Sequence, residues 1–160
     1  MKQLFSFPNP VNEKAARAVA GGVVLIAVVA LATGWTWLSL PLALGFLARV
    51  LTGPTLSPLG QLATRVAAPR LGAPKPVPGP PKRFAQAIGF AFTGGAAAAY
   101  FGFGAIGLAQ VLLAFIVVAA TLESVFALCL GCQAFALLMR AGVIPPEVCE
   151  ACNNLSLRHA

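Results

Sequence analysis

Residues 15–33 read AARAVAGGVVLIAVVALAT, and the fold class turns on the solvent that this stretch needs. As an α-helix, its roughly 19 residues would extend about 28 Å, close to the ~30 Å apolar thickness of a bilayer. After Arg17 it carries no charge, and only Gly21, Gly22 and Thr33 interrupt a run of Ala, Val, Leu and Ile. A helix that is apolar all round is buried in a protein core or in lipid. Composition decides between the two. Of 160 residues, 59% are hydrophobic and 9% are charged, whereas soluble domains carry about 25% charged residues to meet water. Lipid is the natural solvent for such a chain.

Three further apolar stretches follow. One covers 38–51 and contains Pro41, which suggests a tilted or slightly kinked span. The others cover 84–103 and 105–125. Gly34-Trp35-Thr36-Trp37 separates the first two spans, and tryptophan suits a membrane–water interface. The opening, MKQLFSFPNPVNEK, is read as an interfacial lead-in rather than a cleavable signal, with Asn12 capping a helix from about Glu13. Residues 52–83 hold eight prolines and five basic residues but no acidic one. Such a segment cannot cross lipid, because its unpaired backbone groups would go unsatisfied. Within it, LGQLATRVA suits a short amphipathic surface helix and PKPVPGPPKR an extended linker. No strand pattern is visible.

Charge sets the orientation. The eleven Lys and Arg outnumber four Asp and Glu, for a net charge of +7. Lys2, Lys14 and Arg17 precede or edge the first span, and Arg49, Arg65, Arg70, Lys75, Lys82 and Arg83 lie between the second and third. The other two turns are uncharged. The positive-inside rule places the N-terminus, the Pro-rich loop and, after four spans, the C-terminus in the cytoplasm. Basic residues placed this way point to lipid headgroups and not to nucleic acid as the partner.

From Ala105 the chain stays apolar to Met139, too long for one span. The expectation is a span to Val125, a bend, and a partly interfacial helix to Arg140, with Gly131 the only breaker in view. A fifth span is the disfavoured alternative. Glu123 is the one carboxylate inside an apolar span, where an ionisable group is functional by default unless it snorkels to the interface. A transporter reading would rest on Glu123 alone, with no second buried polar group in view to pair with it. GFGAIG at 102–107 matches the dinucleotide-binding fingerprint by letter, but it follows a membrane helix instead of a strand and reads as a tight turn. Gly94, Gly95, Ala98 and Ala99, with Ala18 and Gly22, have the small-residue spacing of helix-packing seams. His159, the single histidine, reads as a tail residue.

All four cysteines fall in two C-x-x-C pairs, Cys129/Cys132 and Cys149/Cys152, with 16 residues between the pairs. That spacing suits a tetrahedral zinc (or iron) site built from two thiolate knuckles. It equally suits thiol–disulfide exchange from one pair to the other. A C-x-x-C at a helix start gains a lowered thiol pKa from backbone N–H groups, an assistance lost if the helix runs unbroken through Leu128.

The blocks NPVNEKAARAVAG, LGFLARVLTGPTLSPLGQLATRV, PGPPKRFAQAIG, FALCLGC and VIPPEVCEACNNLSL together resemble the bacterial integral-membrane proteins catalogued as domain of unknown function 4395. The resemblance implies a small membrane protein encoded near thioredoxin-like or rhodanese-like proteins, and so sulfur or redox handling with such a soluble partner. It supplies no catalytic residues.

The expectation is therefore an all-α integral membrane four-helix bundle of the bacterial cytoplasmic membrane, with 126–160 forming a cytoplasmic cysteine-rich hairpin. Its site is Cys129, Cys132, Cys149 and Cys152, acting either as a thiol relay or as a structural metal site in a scaffold subunit. Glu123 is the membrane carboxylate beside it, and the packing seams leave room for a homo-oligomer.

Overall fold

Asn12 accepts a hydrogen bond from the Lys14 backbone N–H at 3.1 Å and so starts α1 (Glu13–Thr33) where a cap residue was expected. The computed structural model describes residues 7–149. A 3₁₀ turn at Thr36–Leu38 leads into α2 (Ser39–Thr52). The surface helix expected in the loop runs as α3 (Pro58–Leu62), a π-helical stretch at Ala63–Ala67, and α4 (Ala68–Arg70). It is capped by Ser57, whose side chain accepts from Gly60 N. The remaining helices are α5 (Gly79–Phe103), α6 (Ile106–Phe126) and α7 (Leu130–Arg140). A second 3₁₀ turn covers Pro146–Cys149.

α1, α5 and α6 are each long and apolar enough to cross a membrane. α2 with its preceding 3₁₀ turn is shorter, about 25 Å. α5 lies at the centre, packed against α2, α6 and α7, while α1 packs chiefly on α6. The shared core is built largely from small residues, among them Ala20, Ala27 and Ala30 of α1, Ala96 and Ala99 of α5, and Ala109 of α6 around Leu113. Small side chains bring helix axes close, so the seams expected at Ala18/Gly22 and 94–99 coincide with real packing. Large apolar side chains point outward instead: Leu25 is 70% exposed, Phe115 59% and Val118 58%. An inside of alanine and an outside of Leu, Val and Phe reverse the usual soluble pattern.

Three local expectations change. α5 begins at Gly79, five residues early, because Pro80 and Pro81 occupy first-turn positions where a missing N–H costs nothing. The linker ahead of it is extended as expected, but it also pairs: β2 (Pro76–Val77) lies antiparallel to β1 (Val11–Asn12), a strand contact the sequence did not show. The bend expected after Val125 falls at Ala127, and Gly131, the one breaker in view, lies inside the next helix. Ala127 adopts the left-handed conformation (φ 57°), which a non-glycine residue enters at a cost of about 1–2 kcal/mol. GFGAIG is the turn it was read to be, with Gly104 at φ 61° closing α5. α7, at about 16 Å, is far too short for a fifth span.

Much of the basic charge is engaged in closing the fold. Arg17 donates to the Ser124 and Val125 carbonyls at 3.0 and 3.1 Å, satisfying the C-terminal end of α6. Arg83 donates to Val50 O at the end of α2, and Lys14 to Leu71 O at the end of α4. Cations at helix C-termini meet unpaired carbonyls and the negative end of the helix dipole.

Candidate functional site

The left-handed turn at Ala127 gives the cysteine motif its geometry. It ends α6, lets Leu128 and Cys129 run extended, and makes Cys129 the N-cap of α7. The Cys129 Sγ then accepts the Cys132 backbone N–H at 3.4 Å. The unbroken helix that would have withdrawn this assistance does not form. Gly131 has a different task from the one expected of it: a Cβ there would lie 2.5 Å from Cα and Cβ of Ala85, so a bare backbone is needed for α7 to seat on α5. Phe84 of α5 and Phe135 of α7 meet edge-to-face at 5.6 Å, fixing the same contact.

Cys129 and Cys132 open onto a cleft of about 900 Å³, walled also by Pro78, Pro81, Lys82 and Gln133. Both are free cysteines, Cys129 buried and Cys132 half-buried. The Cys132 side chain, hydrogen-bonded to Cys129, holds the Cys129 thiol below the usual range; Lys82 and the backbone N–H act in the same direction. Burial and the Glu123 carboxylate oppose this. The same hydrogen bond, with burial, pushes the Cys132 thiol up. Of the two thiols, Cys129 therefore gives up its proton the more readily.

Lys82 is the residue that the sequence reading missed as part of the site. Its Nζ lies 2.6 Å from Glu123 Oε1, with side chains only 9% and 15% exposed. The expectation that Glu123 has no buried polar partner is therefore corrected. Lys82 had been counted with the loop cations; the early start of α5 carries it one turn into the helix, facing the last turn of α6. Nothing in the spacing of two residues 41 apart signals such a pair.

Cys149 sits on the Pro146–Cys149 turn, which packs against α5. It is buried and disulfide-bonded, and it does not line the cleft of Cys129. Cys152 and His159 lie outside the described residues. A cysteine in a disulfide has no thiolate to give a metal. Among the described residues, no group of three His, Cys, Asp or Glu side chains comes together that could hold one. Cys152, the fourth ligand of the expected four-thiolate site, is not among those residues.

The family model for a domain of unknown function, DUF4395, matches residues 11–140. The chain belongs to that family. The match runs from β1 to the last residue of α7, taking in Lys82, Glu123, Cys129 and Cys132, while Cys149 and Cys152 fall beyond it. No curated protein and no solved structure matches the chain.

Proposed function

We propose that this DUF4395 chain is a membrane-anchored thiol protein that passes reducing equivalents or sulfur through Cys129 and Cys132. The observation that carries the reading is the placement of Cys129 at the α7 N-cap, hydrogen-bonded to Cys132 and beside Lys82 in an open cleft. In the reaction, the Cys129 thiolate attacks a sulfur of an acceptor disulfide, forming a mixed disulfide and releasing one thiolate. Cys132 then loses its proton and attacks Cys129 Sγ, expelling the second thiolate and leaving a Cys129–Cys132 disulfide. Two electrons leave the pair and reduce the acceptor. Cys149 and Cys152 would exchange with a soluble thioredoxin-like or rhodanese-like partner, and Cys129/Cys132 would relay toward the membrane.

The setting proposed is a bacterial cytoplasmic membrane crossed four times, α2 completing the set by tilting. The exposed apolar faces of α1 and α6 support immersion in lipid. Both uncharged turns, Thr33–Ser39 and Phe103–Ile106, would lie outside, and the basic end with the cysteines inside. A single cysteine placed at Trp35 in a cysteine-free background should then react with an impermeant maleimide in intact cells. One placed at Arg70 should react only after lysis.

The chemistry is tested with the reduced protein and an aromatic disulfide, 5,5′-dithiobis(2-nitrobenzoic acid). Wild type should release two thiolates from this pair in sequence. Cys132→Ser should release one and trap the mixed disulfide on Cys129, and Cys129→Ser should lose the fast phase. About one tightly held zinc per chain, with unfolding of Cys149→Ser, would sink the relay in favour of a metal staple.

A further inference from the structure

A second pocket lies on the other side of Lys82. It has a volume of about 260 Å³ and lies between the start of α1, the end of α2 and the first turns of α5. Its walls are mostly apolar, with Pro8, Pro10, Val11, Val19 and Pro54 among them. Into this apolar setting the chain places Arg49, which is only 5% exposed. Three of its faces are occupied: Nε donates to Gln86 Oε1 at 2.7 Å, Nη1 donates to Ser57 Oγ at 3.0 Å, and the guanidinium lies 4.5 Å from the Phe46 ring centre. Nη2 is buried and has no hydrogen-bond partner among the described residues.

An unpartnered buried guanidinium N–H is costly, because water that would have bonded to it has been excluded. The charge balance points the same way. Arg49 and Lys82 both line the pocket, and the carboxylate they both feel is Glu123, already held by Lys82 at 2.6 Å. Glu13, at the start of α1, is paired with Lys75 at 3.0 Å. Of the two buried cations among the described residues, Lys82 and Arg49, only Lys82 has a carboxylate of its own. Two nitrogens and one face of the Arg49 guanidinium are held by neighbours, so the side chain is preorganised and loses little freedom on meeting a ligand.

We propose that this pocket binds an oxyanion, which Arg49 Nη2 would hold with Lys82 adding charge, and whose short apolar body would lie against the proline wall. The volume falls just below the roughly 300–1,000 Å³ of sites for drug-sized molecules, so the occupant is a small acid or an acidic lipid headgroup with its chains outside. The site does not depend on the thiol chemistry. Lys82 is simply the wall that the two cavities share.

The test uses the full chain in maltoside detergent, titrated calorimetrically with sodium phosphate, sodium hexanoate and sodium chloride. In parallel, thermal unfolding is followed in nanodiscs with or without phosphatidylglycerol. Arg49→Met removes the donor, and Thr64→Phe plugs the pocket from an exposed wall position without touching the Arg49 network. The expected result is saturable binding of phosphate or hexanoate at about one per chain, weakened about tenfold or more in both variants. Stabilisation by phosphatidylglycerol, absent with soluble probes and lost in Thr64→Phe, would also support an oxyanion site and name the lipid headgroup as its source. If chloride matches the other salts, or if Thr64→Phe binds and responds as wild type does, the proposal is overturned.

Discussion

Removing either partner of the Lys82–Glu123 pair tests the architecture of the site most directly. At 2.6 Å, the gross attraction is about 6 kcal/mol for an effective dielectric constant near 20. Desolvating two ions consumes most of that, so the intact pair adds little net stability, but breaking it strands a buried charge at a cost of about 3–5 kcal/mol. The two single substitutions should not be equal. Lys82→Met leaves Glu123 still facing Arg49, which feels its charge. Glu123→Leu leaves Lys82 and Arg49 together with no carboxylate between them, and should be the worse of the two. The double variant strands neither of the pair and should recover to within about 1–2 kcal/mol of wild type. At roughly 2–4 °C per kcal/mol for a chain of this length, each single variant should lose about 10 °C in unfolding midpoint. Thermal scans and SDS titrations in mild detergent, followed by the fluorescence of Trp35 and Trp37, give the three differences needed for a double-mutant cycle. A coupling below about 0.5 kcal/mol, or equal losses for one and both substitutions, would refute a buried, mutually dependent pair.

The remaining predictions concern the turn and the cysteines. Ala127→Gly relieves the left-handed backbone strain at the α6–α7 junction and should raise stability by about 1 kcal/mol, read as a higher unfolding midpoint. Gly131→Val puts a branched side chain into the backbone of Ala85 and should cost about 1–3 kcal/mol while speeding alkylation of Cys129, as α7 lifts from α5. Iodoacetamide labelling followed by peptide mass spectrometry should show Cys129 reacting at a lower pH than Cys132. The sign follows from the direction of the shift: a depressed thiol pKa favours the folded thiolate above the unfolded value, and that stabilisation and the reactivity are both lost as pH falls through the folded value. Lys82→Met should move the Cys129 midpoint upward, since the cation that favours the thiolate is gone. An unchanged midpoint would separate Lys82 from the thiol chemistry.

Local chemistry made the long elements legible in the chain itself. The uninterrupted apolar run after Arg17, the Asn12 cap, the Gly34 and Gly104 turns and the first-turn prolines of α5 act within a few residues of one another, so spacing alone reveals them. The pairing of cysteines into two C-x-x-C units was equally plain. Placement of the charges was not. Arg17 looked like a topology signal and closes α6, 107 residues away. Lys82 looked like a loop cation and neutralises Glu123. Arg49 was counted with the same loop cations and is instead buried, held by Ser57 and Gln86 from two other parts of the chain that no spacing could name. Periodicity and capping belong to the sequence because they are short-range. Which cation meets which carboxylate, carbonyl or thiol was decided by the packing of α1, α2 and α6 around α5, which sets the distances on which electrostatic energies depend.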